Sequence, residues 1–336
     1  MQHIWIKDIQ ENDRVEGKYL VKGKTIGKTR QGNPFLTLLL GDKTGTIEGK
    51  VWDRVEEITP LFKEGDIVAI NGQVNTYRNQ IQIQIYELRQ DETPVDPAIF
   101  QESSTKDIEQ MFSQLKKLVG KIKNSHLKAI VDSFLADRNF VSKFKKAPAA
   151  KYFHHSYIGG LLEHTLAVSQ IAIMIGDLYP DLDADLLLSG AILHDIGKVE
   201  EFSYDMNIEY TDEGRLLGHI TIGVSMLEKK LKFQKDFPPD LAVNLKHLIL
   251  SHHGEFEFGS PKRPKFPEAF ALHLADDLDA KVIGLSRLIK DDKQEGSWTA
   301  FNNLFQRYFF KGDTSYQADS KEDAGEKSNK QGYLFT

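Results

Sequence analysis

Seven residues between 164 and 276 have side chains suited to holding metal ions: His164, the pair His194-Asp195, His219, the pair His252-His253, and Asp276. A His-Asp dipeptide alone says little. Here it sits thirty residues after His164 and its Asp precedes His219 by twenty-four, with further ligand types at helical distances beyond. Neutral imidazole and carboxylate both bind divalent ions near pH 7. Cysteine is absent from all 336 residues, so thiolate sites and disulfides are excluded. Any ion must be held by nitrogen and oxygen donors, which suit Mn, Fe, Zn or Mg.

The elements that must position these residues read as helices. His194-Asp195 closes an apolar run, Ala191-Ile192-Leu193, and is followed by Ile196-Gly197-Lys198. The other candidates also lie on or at the ends of apolar helical segments. Five helices, each turning one or two ligands inward, is how a helical bundle builds a metal centre. Ser104-x-x-Asp107 is expected to cap the first helix of this region, with Asp where Glu or Gln is usual. Ile108, Met111, Phe112, Leu115, Leu118 and Val119 keep its apolar face, and further helices are expected over 127–135 and 139–146.

The ordered series His164, His194-Asp195, His219, His252-His253, Asp276 resembles the HD-domain metallophosphohydrolase superfamily over residues 150–290. The resemblance implies that His164, His194, Asp195 and Asp276 form a basic metal set. His219, His252 and His253 then match the added histidines of two-metal members, and Asp195 would bridge the ions. Asp276 is chosen over Asp277 and Asp279 because it follows Leu274-Ala275 as the superfamily pattern does. Phosphodiester hydrolysis suits such a site: two ions a few ångströms apart can activate a water and clamp the attacking and leaving oxygens. Lys198, one turn after His194, could meet a substrate phosphate; a buried core ion pair is its alternative. His154 and His155 precede the ligand helix, and one of them is expected to touch phosphate or sugar, with a structural hydrogen bond as the alternative. The loop Ser260-Pro261-Lys262-Arg263-Pro264-Lys265 could line a phosphate path through Lys262 and Arg263. His247 and His273 read as core histidines.

Residues 13–90 read differently. Tyr19-Leu20-Val21, 35–40, 46–52, 65–72 and the strictly alternating 80–85 are strand-like, with a turn at 42–45 and a helix over 55–62. Five strands with a helix after the third is the order of an OB-fold barrel. Gly32-Asn33-Pro34-Phe35, then Leu38 to Gly45, Val51-Trp52 and Gly65-Asp66 resemble the nucleic-acid-binding OB family. That resemblance makes Phe35, Trp52 and Tyr77 candidate stacking platforms. Lys18, Lys22, Lys24, Lys28 and Arg30 supply cations with no acid among them, of which Lys28 and Arg30 are the backbone candidates.

The expected architecture is therefore multidomain: an all-β OB-fold barrel over 1–92, a linker and helical extension over 93–150, an all-α HD-domain bundle over 151–311, and a polar tail from 312 to 336. Net charge of −6 argues against coating nucleic acid by bulk charge. No run of about 18 apolar residues and no signal-like N-terminus stand out, so no membrane and a cytoplasmic location are expected. The barrel, the bundle and the stretches 147–151 and 154–165 together resemble the YhaM-type 3′–5′ exoribonuclease family. The resemblance implies a two-ion site, with Mn foremost and Fe, Co or Mg as alternatives. It also implies single-stranded RNA as partner, with tolerance of single-stranded DNA; a homo-oligomer is compatible with the sequence. Two other readings stay open: a nucleotide or cyclic-dinucleotide phosphohydrolase, and a DNA-binding replication or regulatory factor with a structural metal.

Overall fold

The computed structural model describes residues 3–29, 31–77, 80–93, 99–151, 153–204, 208–292 and 294–312. Arg30 and the tail beyond 312 lie outside them. Five strands, β1 (Arg14–Lys28), β2 (Pro34–Asp42), β3 (Gly45–Val51), β4 (Ile67–Tyr77) and β5 (Gln80–Gln90), close a barrel in the order β1-β2-β3-β5-β4. The β3–β5 pairing is parallel and the rest are antiparallel. β1 is far longer than its Tyr19-Leu20-Val21 signal because its first half pairs with β4 and its second with β2. The register shifts between Val21 and Gly23, a bulge that bends the strand from one neighbour to the other. Leu36, Leu38 and Leu40 alternate inward on β2 beside Val15, Tyr19 and Ile83, all fully buried. The expected helix over 55–62 is one α turn, α1 (Val55–Ile58), passing into a 3-10 turn over Thr59–Leu61 that contains Pro60.

The helical part comprises α2 (Ile108–Val119), α3 (Ser125–Leu135), α4 (Arg138–Phe144), α5 (Gly160–Leu178), α6 (Ala184–Leu193), α7 (Lys198–Glu201), α8 (Asp212–Leu231), α9 (Pro239–Ser251) and α10 (Pro267–Asp291). A two-residue hairpin, β6 (Phe202–Ser203) with β7 (Glu209–Tyr210), separates α7 from α8. Ser104 does not cap α2. Asp107 does, its side chain accepting from the Gln110 amide, because the three-residue spacing to the first free N–H starts at Asp107. Leu127, Ile130, Leu161, Leu187, Leu245, Leu248 and Leu272, drawn from five helices, are fully buried in one shared core. Each such side chain contributes about 1.5–3 kcal/mol on burial. α5 is long and apolar enough to cross a membrane by length and composition, closer to that limit than the run-length reading allows. Half of that window is buried, and Glu163, His164, Thr165 and Ser169 are among its buried positions.

By compactness the chain divides into Met1–Asp279 and Ala280–Thr336, and the division falls within α10. In the second unit, Trp298 pairs with Phe310 across a β-bridge, their ring centroids 5.3 Å apart, and Asp292 accepts from the Ala300 amide and from Lys311.

Candidate metal centre and nucleic-acid face

All seven candidate ligands converge. His164 comes from the first turns of α5, His194 and Asp195 from the end of α6, His219 from α8, His252 and His253 from the end of α9, and Asp276 from α10. Asp195 lies between two groups. Its Oδ2 is 3.3 Å from His194 Nε2 and 3.6 Å from His164 Nε2, while its Oδ1 is 3.4 Å from His252 Nε2 and 3.5 Å from His219 Nε2. On the first side Asp276 Oδ1 lies 3.0 Å from His164 Nε2 and 3.8 Å from His194 Nε2. On the second side His253 joins His219 and His252, its ring centroid 4.4 Å from that of His252. One carboxylate thus offers one oxygen to each group.

Local chain geometry makes this meeting feasible at two glycines. A Cβ on Gly197 would lie 1.9 Å from the His219 carbonyl oxygen, so only glycine lets α7 approach α8 at the ligand. Gly218 interrupts α8 at φ 69° and ψ 155°, and His219 begins the helix beyond the kink.

The hydrogen bonds behind the rings fix which nitrogen faces inward. His194 Nδ1 donates to the Ala191 carbonyl (2.8 Å), His252 Nδ1 to the Ile249 carbonyl (2.7 Å) and His253 Nδ1 to the Phe258 carbonyl (2.9 Å). A carbonyl can only accept, so in the neutral ring Nε2 keeps the lone pair a metal needs. Carboxylates do the same for the other two: Asp279 Oδ2 lies 2.7 Å from His164 Nδ1, and Glu201 Oε1 lies 3.0 Å from His219 Nδ1. Glu201 also accepts from the His219 amide at 3.0 Å. His219 Nε2 and His252 Nε2 are buried without a hydrogen-bond partner. Orphaned nitrogens beside a shared carboxylate fit a divalent ion in the second group, whereas in the first His164 Nε2 lies 3.2 Å from His194 Nε2 and 3.0 Å from Asp276 Oδ1.

Electrostatics in the ion-free protein follow from this crowding. Burial disfavours the His164 cation, but hydrogen bonds to Asp276 and Asp279 outweigh it and push the ring up to about 9. Burial would raise Asp276, yet the His164 bond and the surrounding imidazoles hold it far below the carboxylate range. Asp195 is likewise held low, against burial, by Lys198 and His194. Burial and neighbouring His252 and His219 push His253 down to about 3.

Lys198 Nζ lies 2.6 Å from Asp195 Oδ2, a close ion pair although its angle is not that of a hydrogen bond, and the residue is buried. The core ion pair weighed for this lysine is therefore what the ion-free protein holds. His154 is mostly buried, with neither ring nitrogen hydrogen-bonded and its centroid 5.3 Å from that of His164. Burial, then Lys198 and His164, push it down to about 3. His155 is 1% exposed and uses both nitrogens, towards Tyr157 OH (2.8 Å) and Asp279 Oδ2 (3.0 Å), which is the structural alternative to a substrate contact. Asp279 and Glu201 were not singled out as partners in the sequence. Asp279 stands three residues after Asp276, a helical same-face spacing that points to it; Glu201 has no such signal. Arg263 is engaged by Glu255 (2.7 Å) and lies 5.0 Å over the Phe256 ring, while Lys262 is exposed on the same loop. His247 accepts from the Lys265 amide and His273 donates to the His252 carbonyl, but both are only half-buried, not the core positions expected.

On the barrel, Phe35 and Trp52 form a tilted pair with centroids 5.1 Å apart, and Trp52 is 45% exposed. Lys50 lies 5.3 Å over Phe35 and donates to Thr37. Tyr77 is exposed at the end of β4, and Lys28 is exposed at the end of β1. The cation series is otherwise partly spent: Lys18 pairs with Asp91 (2.9 Å), and Lys24 donates to the Thr59 and Phe62 carbonyls.

The HD domain model matches residues 161–281, and the OB-fold nucleic acid binding domain model matches residues 19–90. A relative from Bacillus velezensis, named 3′-5′ exoribonuclease YhaM, is 36% identical over 303 residues, covering 89% of this chain and 95% of that protein. The Bacillus subtilis protein of the same name shows the same identity and coverage. A solved structure, the second OB-fold domain of replication protein A from Methanococcus maripaludis, is similar over 28% of this chain and all of its own, at 21% identity and a TM-score of 0.23. With two matching domain models in this order and relatives alike over nearly their whole length, the chain belongs to the family of the YhaM 3′-5′ exoribonucleases.

Proposed function

We propose that this chain is a divalent-metal-dependent 3′–5′ exoribonuclease that acts in the cytoplasm, shortening single-stranded RNA by one nucleoside monophosphate at a time. The observation that carries the reading is Asp195, whose two oxygens face two separate histidine groups. In this reading His164, His194, Asp276 and Asp195 Oδ2 would hold one ion, and His219, His252, His253 and Asp195 Oδ1 a second. Bound there, Mn²⁺ or a similar ion would lower the pKa of a water and neutralise charge on the phosphoryl oxygens.

The chain's own residues do the remaining work. Phe35 and Trp52 stack bases, with Lys50 and Lys28 beside the backbone they carry. Stacking does not read the sugar, so single-stranded DNA enters the same groove as a poorer substrate. Lys198 supplies a cation for a phosphate oxygen, His154 offers an open donor or acceptor to the end of the strand, and Lys262 and Arg263 line the approach. Hydrolysis adds water across the last phosphodiester: the phosphorus–oxygen bond to the strand breaks, and the strand keeps the hydroxyl.

A 5′-labelled oligoribonucleotide incubated with Mn²⁺ should give a ladder of products shortened from the 3′ end. Asp195→Ala should abolish the ladder while leaving strand binding within a factor of about 2. Absence of a ladder from the wild-type protein, or normal cleavage by Asp195→Ala, refutes the reading.

A further inference from the structure

The two histidines of the first half-site are held from behind by different means. His194 leans on a backbone carbonyl, which cannot move without its helix. His164 instead begins a chain of side chains. Asp279 Oδ2 is shared between His164 Nδ1 (2.7 Å) and His155 Nε2 (3.0 Å). His155 Nδ1 meets Tyr157 OH (2.8 Å), and Tyr157 OH reaches Glu163 Oε2 (2.9 Å). Glu163 accepts from Ser104 Oγ (2.6 Å) and pairs with Lys106 Nζ (2.8 Å). His164, His155, Asp279 and Glu163 are all buried, whereas the Lys106 side chain is 62% exposed. The chain therefore runs from a ligand ring to the surface.

Its outer end lies in the segment that follows the barrel. There the backbone is laced to the loop carrying His155 and Tyr157: the Ser104 amide donates to the Ile158 carbonyl and the Ile158 amide to the Glu102 carbonyl, both at 2.9 Å. Ser104, which does not cap α2, is thus used to hold Glu163. Among the described residues the second half-site shows no counterpart of this length: His219 Nδ1 meets Glu201.

We propose that the 102–106 segment is a positioning element of the metal centre, setting the orientation of His164 through Glu163, Tyr157, His155 and Asp279, and so tuning the first half-site independently of the second. The proposal rests on the two-ion reading above. A shared carboxylate oxygen can hold two rings only while both stay in place. Loss of the Tyr157 hydroxyl leaves His155 Nδ1 without that partner and frees the ring to turn, and Asp279 then loses one of the two partners that fix it. Partners behind a ligand typically change ion affinity by about 10–100-fold when removed.

Tyr157→Phe is the sharpest probe, because it deletes one hydroxyl, changes no charge and touches no ligand. Mn²⁺ binding to the full-length protein is followed by calorimetry and by the electron paramagnetic resonance of free Mn²⁺. Wild-type protein should show two classes of site. Asp279→Asn should weaken one class by about 10–100-fold, and Tyr157→Phe the same class by a smaller factor. Glu201→Gln should weaken the other class and leave that one unchanged. Lys106→Ala, at the exposed end, provides a variant that folds whatever happens at the buried positions, and it should shift the first class in the same direction. If folded Tyr157→Phe and Lys106→Ala bind both ions as wild type does, or lose both equally, the proposal is overturned. Wild-type protein that binds no Mn²⁺ overturns the two-ion reading itself.

Discussion

Asp195 is shared, His164 is crowded by two carboxylates, and those two facts set opposite pH responses. In the ion-free protein His164 titrates near 9 rather than 6.5, so its cation stabilises the fold fully below 6.5 and that contribution is lost as pH rises through about 9. Asp276 is shifted down from 3.8, so its contribution is present above that value and lost as pH falls below it. His154 and His253, held down near 3, cost stability as pH falls below 6.5, so chelated protein should melt highest near pH 6.5. Mn²⁺ affinity should do the reverse, rising from pH 6.5 to 9 with release of a proton, because the ion needs the neutral ring. Calorimetry in buffers of different ionisation enthalpy counts that proton; a pH-independent affinity contradicts the assignment. The ligand types were legible in the sequence because few other roles need histidines and aspartates on apolar helical faces. The pairing of His155 with Asp279 was not, since a partner behind a ligand is defined by a contact across the fold, and sequence distance from 155 to 279 carries no trace of it.

Elements were legible where periodicity is simple. The alternation of Gln80 to Ile85 marks β5, and the Asp42 to Gly45 turn joins β2 to β3 as expected. β1 was legible only at Tyr19-Leu20-Val21 because its bulge breaks the alternation, and the kink at Gly218 carries no pattern at all, since a glycine inside a helical sequence looks merely unfavourable. Gly197 shows how closely the elements are fitted. The Cβ of Gly197→Ala would meet the backbone of His219 and, at 2.7 Å, the Gly223 amide nitrogen, and a backbone cannot rotate aside as a side chain can. The variant should lose about 1–3 kcal/mol of stability. Because α7 and α8 must separate at the ligand itself, affinity for Mn²⁺ should fall with it. Urea unfolding midpoints and an ion titration on the same sample check both; an unchanged pair shows that the two helices have slack.

At the scale of the molecule, a barrel that would grip a strand precedes a bundle that would cut it, and the two contributions are separable by substrate length. Trp52→Ala in the full chain should weaken binding of a long oligoribonucleotide by about 1–3 kcal/mol, while hydrolysis of a dinucleotide stays within a factor of about 2. Equal losses on both substrates would place the tryptophan in the cutting step instead. The centre, for its part, is not what keeps the bundle folded. Its helices share a core of fully buried leucines and isoleucines, and Lys198 already balances Asp195 when no ion is there to do so. Chelation should therefore lower stability only by the linkage contribution, about 2.7 kcal/mol for each ion at 100 times its dissociation constant, read as a modest fall in melting temperature. Added Mn²⁺ should restore full activity without refolding. On the proposed two-ion reading, the Lys198–Asp195 pair would make the protein rechargeable: it would stay folded and idle through a shortage of metal and resume work when the supply returns.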